Sequence, residues 1–225
     1  MELKRKELKK IITDYNSLYS CAVSDAIDEL GLEPGFLPHD FRPIWPGARI
    51  IGFAGIIKMI PSEEPLDDNV IAKLGTYFGQ MPKFPIFCVD MDGKMLAAGL
   101  GQGTSRILRG FGFKGGLVNG PVRDIPQVTA QGFPIFARGI ICSSIRGRMN
   151  IDFDAVNKPF NIGDRTIHPG DLIFGDINGV VVVHQENLLE VLEKAKEIAS
   201  TDEWWYKQLE NGRDPSDIEK ERPLP

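Results

Sequence analysis

A mixed α/β fold is predicted for this chain by three observations. Apolar runs at 84–91 and 115–119 flank a helical stretch near 103–110, a strand–helix–strand unit that implies a parallel pair with a crossover. Helical stripes open and close the chain. From residue 133 to 183, short β-branched runs alternate with Gly-Asp and Asn-Gly turns, which favour tight β-connections.

In chain order, Leu3, Leu8, Ile11 and Ile12 recur at helical spacing. Ser24-Asp25 opens a second short helix, Ala26 to Leu30, ended by Gly31. Residues 35–46 read as a loop with three prolines, and Ala48 to Ile60 as a strand crossing a core. The acidic stretch Ser62 to Asn69 is a loop before a short apolar helix or coil ending at Phe78. Strands follow at Phe84–Met91, Gly115–Asn119, Phe133–Ala137 and Gly139–Ser143. Four further short β-runs carry Phe160–Gly163, Thr166–Asp171, Leu172–Asp176 and Val180–Val183. A long helix then runs from Glu186 to about Gly212, with Leu189, Val191, Leu192, Ala195 and Ile198 facing inward.

The length of 225 residues suits one α/β domain, 1–212, followed by a polar tail, 213–225, that is mobile or draped on a neighbour. A net charge of −5 argues against nucleic acid as a partner, because such domains carry a basic face. The lysines and arginine among residues 4–10 alternate with Glu7 and Leu8 and read as a solvated helix face. No apolar run approaches the roughly 18 residues that span a bilayer, so no membrane partner is expected. The three cysteines, Cys21, Cys88 and Cys142, form no C-x-x-C pair and read as reduced, buried thiols of a cytoplasmic protein. None has a local signature for pairing catalytically with His39, His168 or His184.

The segment Gly115 to Asp124, GGLVNGPVRD, resembles the G-x-V-x-D-G-x-V-R-D strand and turn of RraA-like proteins. Further marks are Val23–Asp28 (VSDAID), Pro134–Gly139 (PIFARG), His168-Pro169-Gly170-Asp171, and Gly175–Gly179 (GDING) leading into four valines. The family includes regulators of ribonuclease E and divalent-metal aldolases acting on 4-hydroxy-4-methyl-2-oxoglutarate. The resemblance spans nearly the whole chain. It implies an αββαβα sandwich of the swivelling β/β/α type, assembled as a homotrimer or a dimer of trimers. It also implies a metal site (Mg²⁺ or Mn²⁺) signed by an Asp, twenty intervening residues, Arg-Asp, and an acid three positions later. Arg123 and Asp124 match, whereas Gln102 and Gln127 stand where the signature has acids.

Asp124, after an Arg at the end of an apolar strand, lies where open α/β sheets build ligand sites. A Mg²⁺ ion commonly binds through one or two carboxylates and keeps several waters, so Asp124 is a minimal metal ligand. Its alternative role is a local ion pair or turn cap. The planar fork of Arg123 suits a carboxylate. The run Gly101-Gln102-Gly103-Thr104 opens a helix, where free amides favour an anion, or else simply forms that helix's N-terminus. These residues together are the candidate binding site for a 2-oxo acid, with its carboxylate on the Gly103 and Thr104 amides and its oxo group between Arg123 and the metal. The G-x-G-T run lacks the third glycine and the Lys of nucleotide fingerprints.

Retro-aldol cleavage and β-decarboxylation of such an acid both pass through a pyruvate enolate, whose charge a metal and an arginine stabilise. Only the aldol cleavage needs a base for the C4 hydroxyl, and neither Gln102 nor Gln127 can serve. Oxaloacetate decarboxylation is therefore expected to survive better than aldol cleavage. In the family's aldolases a glutamate from the C-terminal helix of an adjacent chain reaches the site, and Asp202 or Glu203 is the nearest match here. Trp204, Trp205 and Tyr206 form an aromatic cluster expected at a subunit interface. Asp171 and Asp176 read as turn caps and His168 as a strand-end residue. Arg138, Arg146 and Arg148 are candidates for added positive charge near the site, the last two on a loop over residues 143–150. Three functions stay open: a metal-dependent lyase on short 2-oxo acids, a non-catalytic interaction protein like the ribonuclease regulators, and a lyase with altered substrate.

Overall fold

The computed structural model describes residues 4–66 and 69–223; Leu3 of the first helical stripe, and residues 67 and 68 of the acidic loop, lie outside them. The chain divides into two compact units, Phe36–Gln185 and a second made from the chain up to Gly35 and the chain from Glu186. No helix of the described residues is long and apolar enough to cross a membrane.

The unit Phe36–Gln185 is built on one sheet. Its strands are β1 (Arg42–Pro43), β2 (Ile50–Pro61), β3 (Pro85–Asp90), β4 (Gly115–Val122), β5 (Ile135–Ile140), β6 (Met149–Asp152), β9 (Leu172–Asp176) and β10 (Gly179–Val183). The order is β1-β5-β4-β3-β2-β9-β10, with β6 also paired to β2. Strands β2 to β5 run parallel to one another, while β1, β6, β9 and β10 pair antiparallel. The separate hairpin β7 (Phe160–Ile162) and β8 (Arg165–Ile167) accounts for two of the expected short β-runs.

Alternation along the parallel strands explains why they read as unbroken apolar runs: both faces are covered. Ile57, Phe87, Val89 and Val118 share one core with Phe78, Leu108 and Val128. These last three come from helices α3 (Val70–Phe78), α4 (Gln102–Gly110) and α5 (Ile125–Ala130). Ile56, Ile86, Cys88 and Leu117 point the other way, into a core with Phe136, Phe160, Ile162, Ile167 and Ile173. The expected crossover is present as β3–α4–β4, with β3 and β4 parallel.

The second unit holds α1 (Arg5–Asn16), α2 (Ser20–Glu29), α6 (Leu188–Glu210) and α7 (Pro215–Glu221). Helix α2 begins at Ser20 rather than near Ala26, because Ala22 and Val23 extend the buried stripe of Ala26 and Ile27 by one turn. The expected tail instead carries α7, started by Asp214, whose side chain accepts from the Ser216 amide, and by Pro215 in the first turn. Ile218 is fully buried, and the Trp205 indole, 6% exposed, donates to the Arg222 carbonyl at 2.8 Å. Trp205 is thus covered by its own chain, so its burial calls for no partner, while Tyr206 is exposed.

Three other expectations are corrected. In place of the two strands expected over Phe133–Ala137 and Gly139–Ser143 there is one, β5, over Ile135–Ile140. The expected loop over residues 143–150 gives way to β6 at Met149, and residues 125–130, for which no element was expected, form α5. Of the three free cysteines only Cys88 is buried, and burial pushes its thiol far above the ordinary range; Cys21 and Cys142 are exposed.

Candidate functional site

Sheet geometry brings the glycine run to Arg123-Asp124. Leu100 forms a parallel bridge with Val122, the Gly99 amide donates to the Pro121 carbonyl, and the Arg123 amide donates to Leu100 at 3.0 Å. The chain before α4 is therefore a short extra strand alongside the end of β4. Gly101 caps α4 in extended conformation, close enough to β4 that a Cβ there would stand 2.7 Å from Asp124 Oδ2 and 2.9 Å from Arg123 Cγ.

Asp124 follows the last residues of β4 in the left-handed region, φ 59° and ψ 38°, which Asp tolerates better than most residues. This turn swings its carboxylate back toward α4, where Oδ2 accepts the Gln102 amide at 3.0 Å. Arg123 Nε lies 3.5 Å from the same oxygen. Both alternatives raised for Asp124, an ion pair and a cap, are thus realised, and the cap serves α4 rather than its own turn. The amides of Gly103 and Thr104, in the first turn of α4, have no acceptor within the helix.

Arg123, Asp124, Gly101, Gly103 and Thr104 border one cavity of about 330 Å³. Arg146 borders it too, so one of the three accessory arginines is where the sequence suggested. Arg138 is not: its Nε pairs with Asp40 at 2.6 Å and its guanidinium also donates to Asn119. Arg148 is exposed and donates to the Arg146 and Ser144 carbonyls. Gln102 contributes its backbone to Asp124, but its side chain does not border the cavity, and Gln127 is exposed on α5. The opposite wall is apolar, made by Met59, Leu74, Phe78, Ile107, Leu108 and Ile145. Sequence reasoning missed this wall because its residues come from β2, α3, α4 and the loop before β6, each apolar for reasons that core packing alone explains.

Asp202 accepts a hydrogen bond from the Tyr19 hydroxyl within its own unit. Asp171 and Asp176 do cap turns, accepting the His168 and Asn178 amides at 2.8 and 2.9 Å. Asp171 also gathers His168 and His184, a cluster the sequence did not suggest.

The Arg-Asp pair and the helix N-terminus stand at a cavity beside the carboxyl end of a parallel strand, the place where open α/β sheets commonly build ligand sites. The sequence profile of the RraA-like family (Aldolase/RraA) matches residues 20–182, and the chain belongs to that family. It is 31% identical over 185 residues to Protein DlpA of Legionella pneumophila, covering 82% of this chain but only 29% of DlpA's length. It is 29% identical over 192 residues, 85% of each chain, to a Halalkalibacterium halodurans protein provisionally named 4-hydroxy-4-methyl-2-oxoglutarate aldolase. Among solved structures, a Pseudomonas syringae pv. tomato protein superposes with TM-score 0.81 at 27% identity, covering 93% of this chain and 96% of that one. Streptomyces coelicolor RraAS2 shares the fold, with TM-score 0.76 at 22% identity over 88% of this chain and 98% of its own.

Proposed function

We propose that the protein is a divalent-metal-dependent carbon–carbon lyase acting on 2-oxo dicarboxylic acids, and that Arg123 and Asp124 are its catalytic pair. The observation that carries this reading is the shared cavity of Arg123, Asp124, Arg146 and the first turn of α4. The metal fits the donor set: Asp124 offers one carboxylate whose contacts run through Oδ2, which matches the way a hydrated Mg²⁺ or Mn²⁺ is held. Bound there, the ion supplies Lewis-acid polarisation of the substrate's oxo group.

The chain's own residues do the rest. Arg123 pairs with the oxo-acid end of the substrate and offsets charge that develops on the oxo oxygen. The Gly103 and Thr104 amides take the C1 carboxylate, and Arg146 takes the second one. The apolar wall excludes water and leaves room for an alkyl group on the substrate, which oxaloacetate itself does not fill. In decarboxylation the C3–C4 bond breaks, CO₂ leaves, and the electron pair passes to the pyruvate enolate, which water then protonates. Aldol cleavage needs a base for the C4 hydroxyl. Among the described side chains that border the cavity, the titratable ones are Arg123, Asp124 and Arg146, and none is free for that task. Decarboxylation is therefore the reaction that the described residues support.

The test is pyruvate release from oxaloacetate and from a 3-alkyl oxaloacetate (as the corresponding 2-oxo acid), with and without Mg²⁺. The protein-free rate is subtracted, and Asp124→Ala is the control. Metal-dependent release that the variant loses supports the lyase. Equal decarboxylase and aldolase rates overturn the argument from the missing base. No release above the blank from either compound, nor from 4-hydroxy-4-methyl-2-oxoglutarate, overturns the lyase. The substitutions at Gln102 and Gln127 would then favour a non-catalytic interaction protein.

A further inference from the structure

Asp171 is 2% exposed, yet both imidazoles beside it reach solvent. It immediately precedes β9, its carbonyl accepts the Ala54 amide of β2, and its carboxylate is fixed from two sides. Oδ2 accepts the His168 amide at 2.8 Å and Oδ1 the Gln185 amide at 3.3 Å. The Gln185 side chain then donates to the Pro169 carbonyl at 2.8 Å, tying the β8–β9 turn to the end of β10. Gly170 is required in that turn: φ is +89°, and a Cβ would stand 2.7 Å from Gln185 Nε2. The result is a rigid loop pair that presents two rings to one carboxylate oxygen.

His184 Nδ1 lies 2.9 Å and His168 Nδ1 3.4 Å from Asp171 Oδ2, and the ring centroids are 5.5 Å apart. Potential ligand atoms of all three residues lie within 4.8 Å of one another. A tetrahedral ion with ligands at about 2.0–2.1 Å has neighbouring ligands about 3.3 Å apart, so the two His–Asp spacings need only a few tenths of an ångström of adjustment, and the two imidazoles close by at most about 1.5 Å. The side chains of His168 and His184 are 50% and 34% exposed, which leaves the remaining coordination positions open to water.

We propose that His168, Asp171 and His184 form a second metal site, for Zn²⁺ or a similar imidazole-seeking ion. Two nitrogens and one oxygen suit Zn²⁺, Cu²⁺ or Ni²⁺ rather than Mg²⁺, which prefers oxygen alone. None of the three residues borders the Arg123–Asp124 cavity, so this site stands apart from the lyase reading. A metal here clips the β8–β9 turn to the end of β10 and stabilises the folded chain by mass action.

The experiment titrates chelator-treated full-length protein with Zn²⁺ and with Co²⁺, following heat, the Co²⁺ visible spectrum and the melting temperature. All proteins carry Cys21→Ser and Cys142→Ser, because the two exposed thiols bind the same ions. The expected result is one equivalent bound with micromolar or tighter affinity and a melting temperature that rises with Zn²⁺. His168→Asn and His184→Asn, checked for folding by circular dichroism, should each weaken binding at least tenfold. Asp124→Ala should leave it unchanged. No stoichiometric binding overturns the site, as does binding that survives both histidine substitutions or disappears with Asp124→Ala.

Discussion

The Gln102 amide donates to Asp124 Oδ2 across 3.0 Å, so the carboxylate proposed to hold the metal is also what caps helix α4. One side chain thus links the helix N-terminus, the end of β4 and the cavity. Charge and hydrogen bonding at this position can be separated by substitution.

Asp124→Asn keeps an oxygen acceptor for the Gln102 amide but loses the negative charge. Its melting temperature should stay close to that of the parent, whereas Asp124→Ala should lose about 1 kcal/mol, the usual cost of an N-cap. Both should lose Mg²⁺-dependent pyruvate release. An Asn variant that retains this activity would remove Asp124 from the metal site.

Gly101→Ala tests the close approach of α4 to β4. The new Cβ meets Asp124 Oδ2 and Arg123 Cγ below 3.0 Å, so both side chains of the proposed catalytic pair must move. A misplacement of about 1 Å can cost about 10²-fold in rate. The expected outcome is a fall of that order in kcat at saturating metal, with the far-ultraviolet circular dichroism spectrum unchanged.

Trp205→Ala removes a large buried side chain and the hydrogen bond to Arg222, so it should destabilise the chain by about 3–5 kcal/mol. Chemical denaturation measures this directly. Tyr206→Ala, at an exposed position, should leave stability within about 0.5 kcal/mol. A mild effect at Trp205 would mean that α7 contributes little to its unit.

Asp14 links α1 to α6: Lys10 at 2.7 Å and Lys196 at 2.9 Å hold its carboxyl below the usual 3.8, the hydrogen bond from Lys10 being the larger cause. A lowered folded-state value contributes stability that is present above pH 3.8 and lost as pH falls through the folded-state value. Asp14→Asn should therefore flatten the acid limb of the stability–pH curve below pH 4 and leave its shape above pH 5 unchanged. An unaltered acid limb would show that solvent screening cancels the pair.

The unbroken apolar runs of β3 and β4, the turn residues between β7 and β10, and the stripe of α6 apart from Leu189, which is exposed, were legible because propensity and periodicity act over a few neighbouring residues. The Arg123-Asp124 pair was legible as a motif for the same reason. Helix α5 had a local signal too, Pro126 just inside its start, but six residues are too few for a stripe. The rest depends on register. Gly101 meets Asp124 because Leu100 pairs with Val122, and Arg146 reaches the same cavity because β6 pairs with β2. His184 joins His168 and Asp171 because β10 folds back along β9, placing Val183 beside Leu172. By itself the sequence determined the main strands and the long helices, most of the faces they bury, and where the Arg-Asp pair stands; it left α5, α7 and β6 unread. Only the tertiary structure decided which distant residues share a site, because burial of both sheet faces sets strand register, and no short stretch of chain encodes it.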